Sequence, residues 1–190
     1  MAKLYTDLPK KKGERDFALQ LKNISDERLH LWFSIDSVPG VRDIDVLLIH
    51  EDIGAFIIEV KAVSITMIED IGYEHCKIKD RKRDKGPTFQ AYRAYSSLWD
   101  FLKPRLTEQS PFFTCTAAWS AITRKRWVAN WSDKDMAIWS DSLIFEEDFS
   151  GSYQSFLDRL RHVCKNPAIR GRGSASKVRK RFIESLAGVL

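Results

Sequence analysis

The stretch "VRDIDVLLIHEDIGAFIIEVKAV", Val41 to Val63, constrains this chain most. Two apolar runs, Asp45 to His50 and Ala55 to Val63, read as strands, and the short link "HEDIG" makes them an antiparallel hairpin. If the pairing centres on Asp52, Leu47 faces Ile57, Ile49 faces Ala55, and Asp45 faces Glu59. Side chains alternate along a strand, so Asp45, Glu59 and Lys61 share one face, while Phe56, Ile58 and Val60 point to the other and pack against helices. Like charges directly opposite are destabilising. Two carboxylates about 4 Å apart repel by roughly 4 kcal/mol at an effective dielectric near 20. A bridging divalent cation reverses that sign. Mg²⁺ suits the task, being held by one or two carboxylates plus waters and phosphate oxygens. The alternative is that Asp45 caps a strand end and that Glu59 and Lys61 form a surface pair. A slip of one residue in register separates the two readings.

Around the hairpin the chain reads α-β-β-β-α-β-(β)-α, the order of a mixed sheet flanked by helices rather than a strict βαβ repeat. "GERDFALQLKNI" places Glu14, Phe17, Leu21 and Ile24 on one helical face. "LHLWFSI", Leu29 to Ile35, alternates as a strand, and "SVPG" is a turn. Pro87 opens a second helix and Pro104 marks its end. "PFFTCTAAWS" is a further strand, and "MAIWS" and "SLIFEE" are short strand candidates. "SYQSFLDRLRHVCK" is a third helix with Phe156, Leu160 and Val163 inward. "NPAIRGRGSAS" reads as a linker and "KVRKRFIESLAGVL" as a short basic amphipathic helix. The expected organisation is a domain over residues 1–165, followed by a basic linker and helix over 166–190 that could lead into a further domain.

The residues of the hairpin and its neighbours resemble the PD-(D/E)xK nuclease superfamily, and within it the nuclease-related domain, NERD. That family shows an early "GE" at a helix start, an "ID" strand, a "G-hydrophobic-E-x-K" strand and a later "Q" opening a helix. Here these are Gly13-Glu14, Ile44-Asp45, Gly54 with Glu59 and Lys61, and Gln90, in order over about residues 13–105. The resemblance implies a restriction-endonuclease-like α/β (α+β-like) core and a nuclease that uses Mg²⁺ or Mn²⁺. It implies Asp45 and Glu59 as metal ligands and Lys61 as the catalytic lysine. It brings Glu14 as a further ligand, directly or through a water, and Gln90 to orient substrate or water. Ile44 stands where the superfamily has the proline of "PD", which this subgroup tolerates. Val46 stands where many relatives carry a polar residue, which loosens the subgroup assignment. Asp43 precedes the strand and belongs to the turn. Relatives often sit at the N-terminus of larger proteins, so a helicase or other domain in cis or trans is a candidate partner.

Charge points to the same class of partner. From Arg161 to the end the net charge is +7, against −2 for the first 160 residues. "KIKDRKRDK", Lys77 to Lys85, adds six cations against two Asp. Such blocks suit a polyanion. The expected DNA contacts are Lys77, Lys79, Arg81, Lys82, Arg83, Arg124, Arg126, Arg170, Arg172 and Lys177. Trp119, Trp127, Trp131 and Trp139, interleaved with Arg124, Lys125 and Arg126, could stack on single-stranded bases, although at strand spacing such residues are more often core and edge residues.

Other chemistry finds little support. The four histidines, His30, His50, His75 and His162, have no metal-ligand spacing. Neither a nucleophile elbow nor a phosphate-binding Gly-rich loop occurs. Cys76, Cys115 and Cys164 suit neither a disulfide framework nor a zinc site and are expected as reduced thiols in a cytoplasmic protein. No run approaches the roughly 18 apolar residues of a membrane span, and no secretory signal opens the chain. Three readings remain: a metal-dependent nuclease acting on single- or double-stranded DNA, a non-catalytic nucleic-acid-binding or assembly module on the same fold, and an ordinary structural or signalling domain whose motif match is accidental.

Overall fold

The computed structural model describes residues 1–82, 84–106, 111–131, 136, 139–166 and 177–190. Its strands are β1 (Lys3–Leu4), β2 (Leu29–Ile35), β3 (Ile44–His50), β4 (Gly54–Lys61), β5 (Ile68–Ile71), β6 (Cys76–Ile78), β7 (Phe113–Trp119) and β8 (Ile144–Phe145). Its helices are α1 (Lys12–Lys22), α2 (Pro87–Leu102), α3 (Arg124–Asn130), α4 (Glu146–Ser150), α5 (Tyr153–Lys165) and α6 (Lys180–Ala187). The main sheet has the order β1-β2-β3-β4-β7-β8. It is mixed: β2, β3 and β4 run antiparallel in turn, whereas β1 joins β2, β7 joins β4 and β8 joins β7 in parallel. Strands β5 and β6 make a separate two-stranded ribbon. The chain is therefore an α/β protein with a central mixed sheet flanked by helices.

β3 and β4 are buried on both faces, which is why their sequences read as near-continuous apolar runs. One face carries Phe33, Val46, Leu48, Phe56 and Ile58 and is covered by Phe17 and Leu21 of α1 and by Phe156, Leu160 and Val163 of α5. The other carries Trp32, Leu47, Ile49 and Ile57 and is covered by Ala94 and Leu98 of α2 and by Phe182 and Leu186 of α6. Each wholly buried Leu or Ile here contributes about 2 kcal/mol of transfer free energy. A third cluster packs the β5–β6 ribbon and Trp119, Trp127 and Trp139 at the β8 edge.

Several expectations change. The expected boundary near residue 165 leaves α6 outside the domain, yet Val178, Phe182, Ile183 and Leu186 belong to the second core. Residues 167–176 of the expected linker lie outside the described residues. "MAIWS" is not a strand: Met136, Trp139 and Ser140 are helical, and Ala137 and Ile138 fall outside the described residues. In "SLIFEE" only Ile144 and Phe145 pair, and α4 begins at Glu146. The cause is a set of competing hydrogen bonds. The buried Arg159 guanidinium donates to the carbonyls of Asp141 (2.7 Å) and Leu143. The Asp148 carboxylate accepts from the Phe145 amide at 2.8 Å, which turns the chain into α4.

Three tryptophans are core residues. Trp119, Trp127 and Trp139 pack against one another and against Phe145, so they offer no stacking surface for bases. All three cysteines are free and buried. Among the described residues, no helix is long and apolar enough to cross a membrane.

Candidate active site

The hairpin register is the expected one. His50 pairs with Gly54, Ile49 with Ala55, Leu47 with Ile57, and the ladder ends at Val46 and Ile58. Beyond that pair the strands part, and the Asp45 carboxylate takes the Val60 amide at 2.8 Å in place of a ladder bond. Glu59 and Lys61 remain tied on the other side, where β4 pairs Glu59 with Ala117 and Lys61 with Trp119 of β7. Asp45, Glu59 and Lys61 thus meet at the open end of the hairpin, where a rigid central strand holds two of them.

Two helix starts close on this end. Gly13 lets α1 approach β4 closely: a Cβ there would stand 2.0 Å from the Ala62 Cβ. That contact delivers Glu14, in the first turn of α1, to the acids. At the other start, a Cβ on Gly86 would stand 2.0 Å from the Tyr73 carbonyl oxygen, so only glycine admits α2 here. Gln90 then donates its amide N–H to the Lys85 carbonyl and turns its oxygen to the Lys61 ammonium at 3.4 Å. The Lys61 ammonium also donates to Glu59 at 2.6 Å. All five expected site residues, Glu14, Asp45, Glu59, Lys61 and Gln90, line one cavity of about 440 Å³.

The electrostatics are those of a crowded acid cluster. Burial pushes the Asp45 carboxyl up to about 7, and the Glu59 and Glu14 charges push the same way against the Val60 hydrogen bond. Glu14 is partnered by Lys11 at 2.9 Å, and this bond raises the Lys11 ammonium. Among the described residues no three His, Cys, Asp or Glu side chains stand together as a ready metal cage. The donors still fit a hard cation of the Mg²⁺ type, which takes one or two carboxylates and completes its shell with water and phosphate oxygens. An Asp45 carboxyl lifted first by burial and then by the Glu59 and Glu14 charges is the observation that favours such a cation.

The basic residues divide. Arg81 and Lys82 line the cavity, and Lys79 is exposed on the same segment. Lys77 donates to the Arg81 carbonyl and lies 3.8 Å from Glu69, so it braces that segment. Arg124 is drawn inward: its guanidinium stacks 4.6 Å from the Phe145 ring and reaches Asp148 at 3.4 Å. Arg126 and Lys177 are exposed and do not line the cavity. Arg83, Arg170 and Arg172 lie outside the described residues. Asp43 lines a second cavity of about 430 Å³, which shares Lys11, Glu14 and Asp45 with the main cavity but is not lined by Glu59. Lys11 and Asp84 line the main cavity unforeseen. The i,i+3 spacing of Lys11 and Glu14 at a helix start was the signal available for Lys11.

Neither the curated proteins nor the solved structures contain a match to this chain. The family model for the nuclease-related domain matches residues 9–118, which include the first helix, the hairpin, α2 and most of β7. The chain belongs to the nuclease-related domain (NERD) family.

Proposed function

We propose that this protein is a Mg²⁺- or Mn²⁺-dependent nuclease that hydrolyses phosphodiester bonds in DNA. The observation that carries this reading is Asp45, held at the splayed end of the hairpin with its carboxyl pushed up to about 7 beside Glu59 and Glu14. A fold selected only for stability has no use for that arrangement. Asp45 and Glu59 would hold the cation, with Glu14 joining directly or through a water. A bound divalent ion lowers the pKa of water and offsets negative charge on a phosphoryl oxygen.

The chain's own groups supply the rest. Lys61, fixed between Glu59 and Gln90, presents an ammonium to the attacking water or to developing phosphate charge. Gln90 is oriented by the Lys85 carbonyl and so positions Lys61. Arg81 and Lys82 at the cavity rim attract the DNA backbone. The test is cleavage of single- and double-stranded DNA with Mg²⁺, Mn²⁺ or EDTA. The wild type should cut only with metal, and Asp45→Ala and Glu59→Ala should each lose at least about a thousandfold of that rate. Cutting that survives both substitutions overturns the reading.

One observation favours a non-catalytic binding module instead. Lys61 already partners Glu59 and Lys11 already partners Glu14, so two of the acids are neutralised without a cation. Salt-sensitive DNA binding without cleavage under any metal would select that alternative.

A further inference from the structure

A chain of aromatic rings runs from the core to the surface at the start of α2, next to Gln90 of the candidate active site. It starts at Phe182 of α6 and passes through Phe113 to Tyr95, with centroids 6.4 and 5.7 Å apart. It continues along α2 to Tyr92 and Phe89, each step 6.4 Å, and ends on Tyr73 at 6.0 Å. The inner members are buried, whereas Tyr92 is 37% exposed and Phe89 and Tyr73 are half-buried. The outer rings are therefore fixed from behind and open in front. Phe89 is the sequence neighbour of Gln90, which lines the cavity.

The surroundings of the open rings are cationic. The Lys85 ammonium stands 5.9 Å from the Phe89 centroid. Lys79, Arg81 and Lys82 are exposed on the segment just before, and the last two reach the cavity. Fixed aromatic faces beside a row of cations match a single strand, whose bases stack while its phosphates pair with the cations. A duplex offers no such match, since its base faces are already stacked on one another.

We propose that Phe89 and Tyr92, with Tyr73 beside Phe89, form a stacking platform for the bases of single-stranded DNA, which leads the strand from α2 into the cavity past Arg81 and Lys82. The platform rests on the nucleic-acid reading above but not on cleavage. Its test is therefore binding in EDTA, using the full chain and fluorescence anisotropy. The probes are a labelled oligo(dT) and an abasic oligonucleotide of the same length, which keeps the phosphates and lacks the bases. The wild type should prefer oligo(dT) by about tenfold. Tyr92→Ala should erase most of that preference and leave abasic binding unchanged, and Tyr92→Trp should keep it. Equal wild-type affinity for the two probes overturns the platform, as does a Tyr92→Ala variant that weakens both equally, or a wild type that binds neither. If cleavage fails while the oligo(dT) preference holds, the nuclease reading falls and the platform stands.

Discussion

At the turn end of the β3–β4 hairpin, Asp26 accepts hydrogen bonds from the Arg28 guanidinium, the Arg28 amide and the Tyr153 hydroxyl. At the open end, Asp45 has one amide hydrogen bond and two acidic neighbours. The Arg28 guanidinium holds the Asp26 carboxyl well below the usual carboxylate range, whereas burial and like charge hold Asp45 well above it. The turn end goes further. Arg28 reaches Asp52 at 2.7 Å, and His30 bridges the Tyr5 hydroxyl and Glu51 at 2.8 and 2.9 Å. His50 accepts the Asp52 amide on Nδ1, which leaves its proton on Nε2, 3.5 Å from Asp26. One hairpin thus has an end where acids are matched for stability and an end where they are left in excess. The excess is where the proposed cation would add binding energy the fold has not already used.

The largest expected effect breaks the matched end. Asp26→Ala leaves the Tyr153 hydroxyl without its acceptor, removes the carboxylate 3.5 Å from the His50 ring and frees Arg28 from its main partner. Denaturant unfolding at pH 7 should show a loss of about 3 kcal/mol, with cleavage within a few-fold of wild type. Because Asp26 is depressed in the fold, its contribution is present above the ordinary carboxylate pKa near 4 and fades as pH falls below it. A loss of cleavage as deep as that of Asp45→Ala, in a variant that still folds, would dissolve the division between the two ends.

The next effect is geometric. Gly13→Ala forces a Cβ to within 2.0 Å of the Ala62 Cβ and pushes the α1 start away from the acids. We expect about 2 kcal/mol of lost stability, and cleavage down about tenfold as Glu14 withdraws. Gly188→Ala is the control, since its Cβ meets its nearest atom at an ordinary 3.6 Å. Thermal melting and initial rates on one substrate compare the two. Full activity in Gly13→Ala would remove Glu14 from the site.

The open end was largely legible in the sequence, and the matched end was not. Period-two alternation and a short turn are enough to set the hairpin register, and that register puts Asp45, Glu59 and Lys61 on one face. Glu14 and Gln90 came instead from family resemblance, because helix-to-strand distance has no local signal. The matched end draws on residues 5, 26–30, 50–52 and 153, which no motif joins. The misread segment at 136–147 has the same cause. Its strand propensity is overridden chiefly by Arg159, whose guanidinium reaches back from α5 to the Asp141 and Leu143 carbonyls, and then by the local hydrogen bond of Asp148 to the Phe145 amide. Basic runs were visible as composition, but composition did not tell Arg124, folded onto Phe145, from Lys82 at the cavity.

The smallest effect has the opposite sign. Asp45→Asn keeps an oxygen to accept the Val60 amide and removes a charge that Glu59 and Glu14 repel. In metal-free protein the folded carboxyl holds its proton up to about 7, whereas the unfolded one loses it near the ordinary value of about 4. Between those values the folded state binds more protons than the unfolded state, so wild-type stability falls as pH rises through that window. The asparagine variant does not share this loss. It should match wild type near pH 4 and exceed it by about 1–2 kcal/mol at pH 8, a figure discounted for partial exposure of the cavity. Millimolar Mg²⁺ should then raise the wild-type melting temperature at pH 8 and narrow the gap, because the cation supplies what the substitution supplied by deleting charge. An asparagine variant less stable than wild type at pH 8 without metal would mean that Lys11 and Lys61 already balance the open end, and that its acids are matched as fully as those around Arg28.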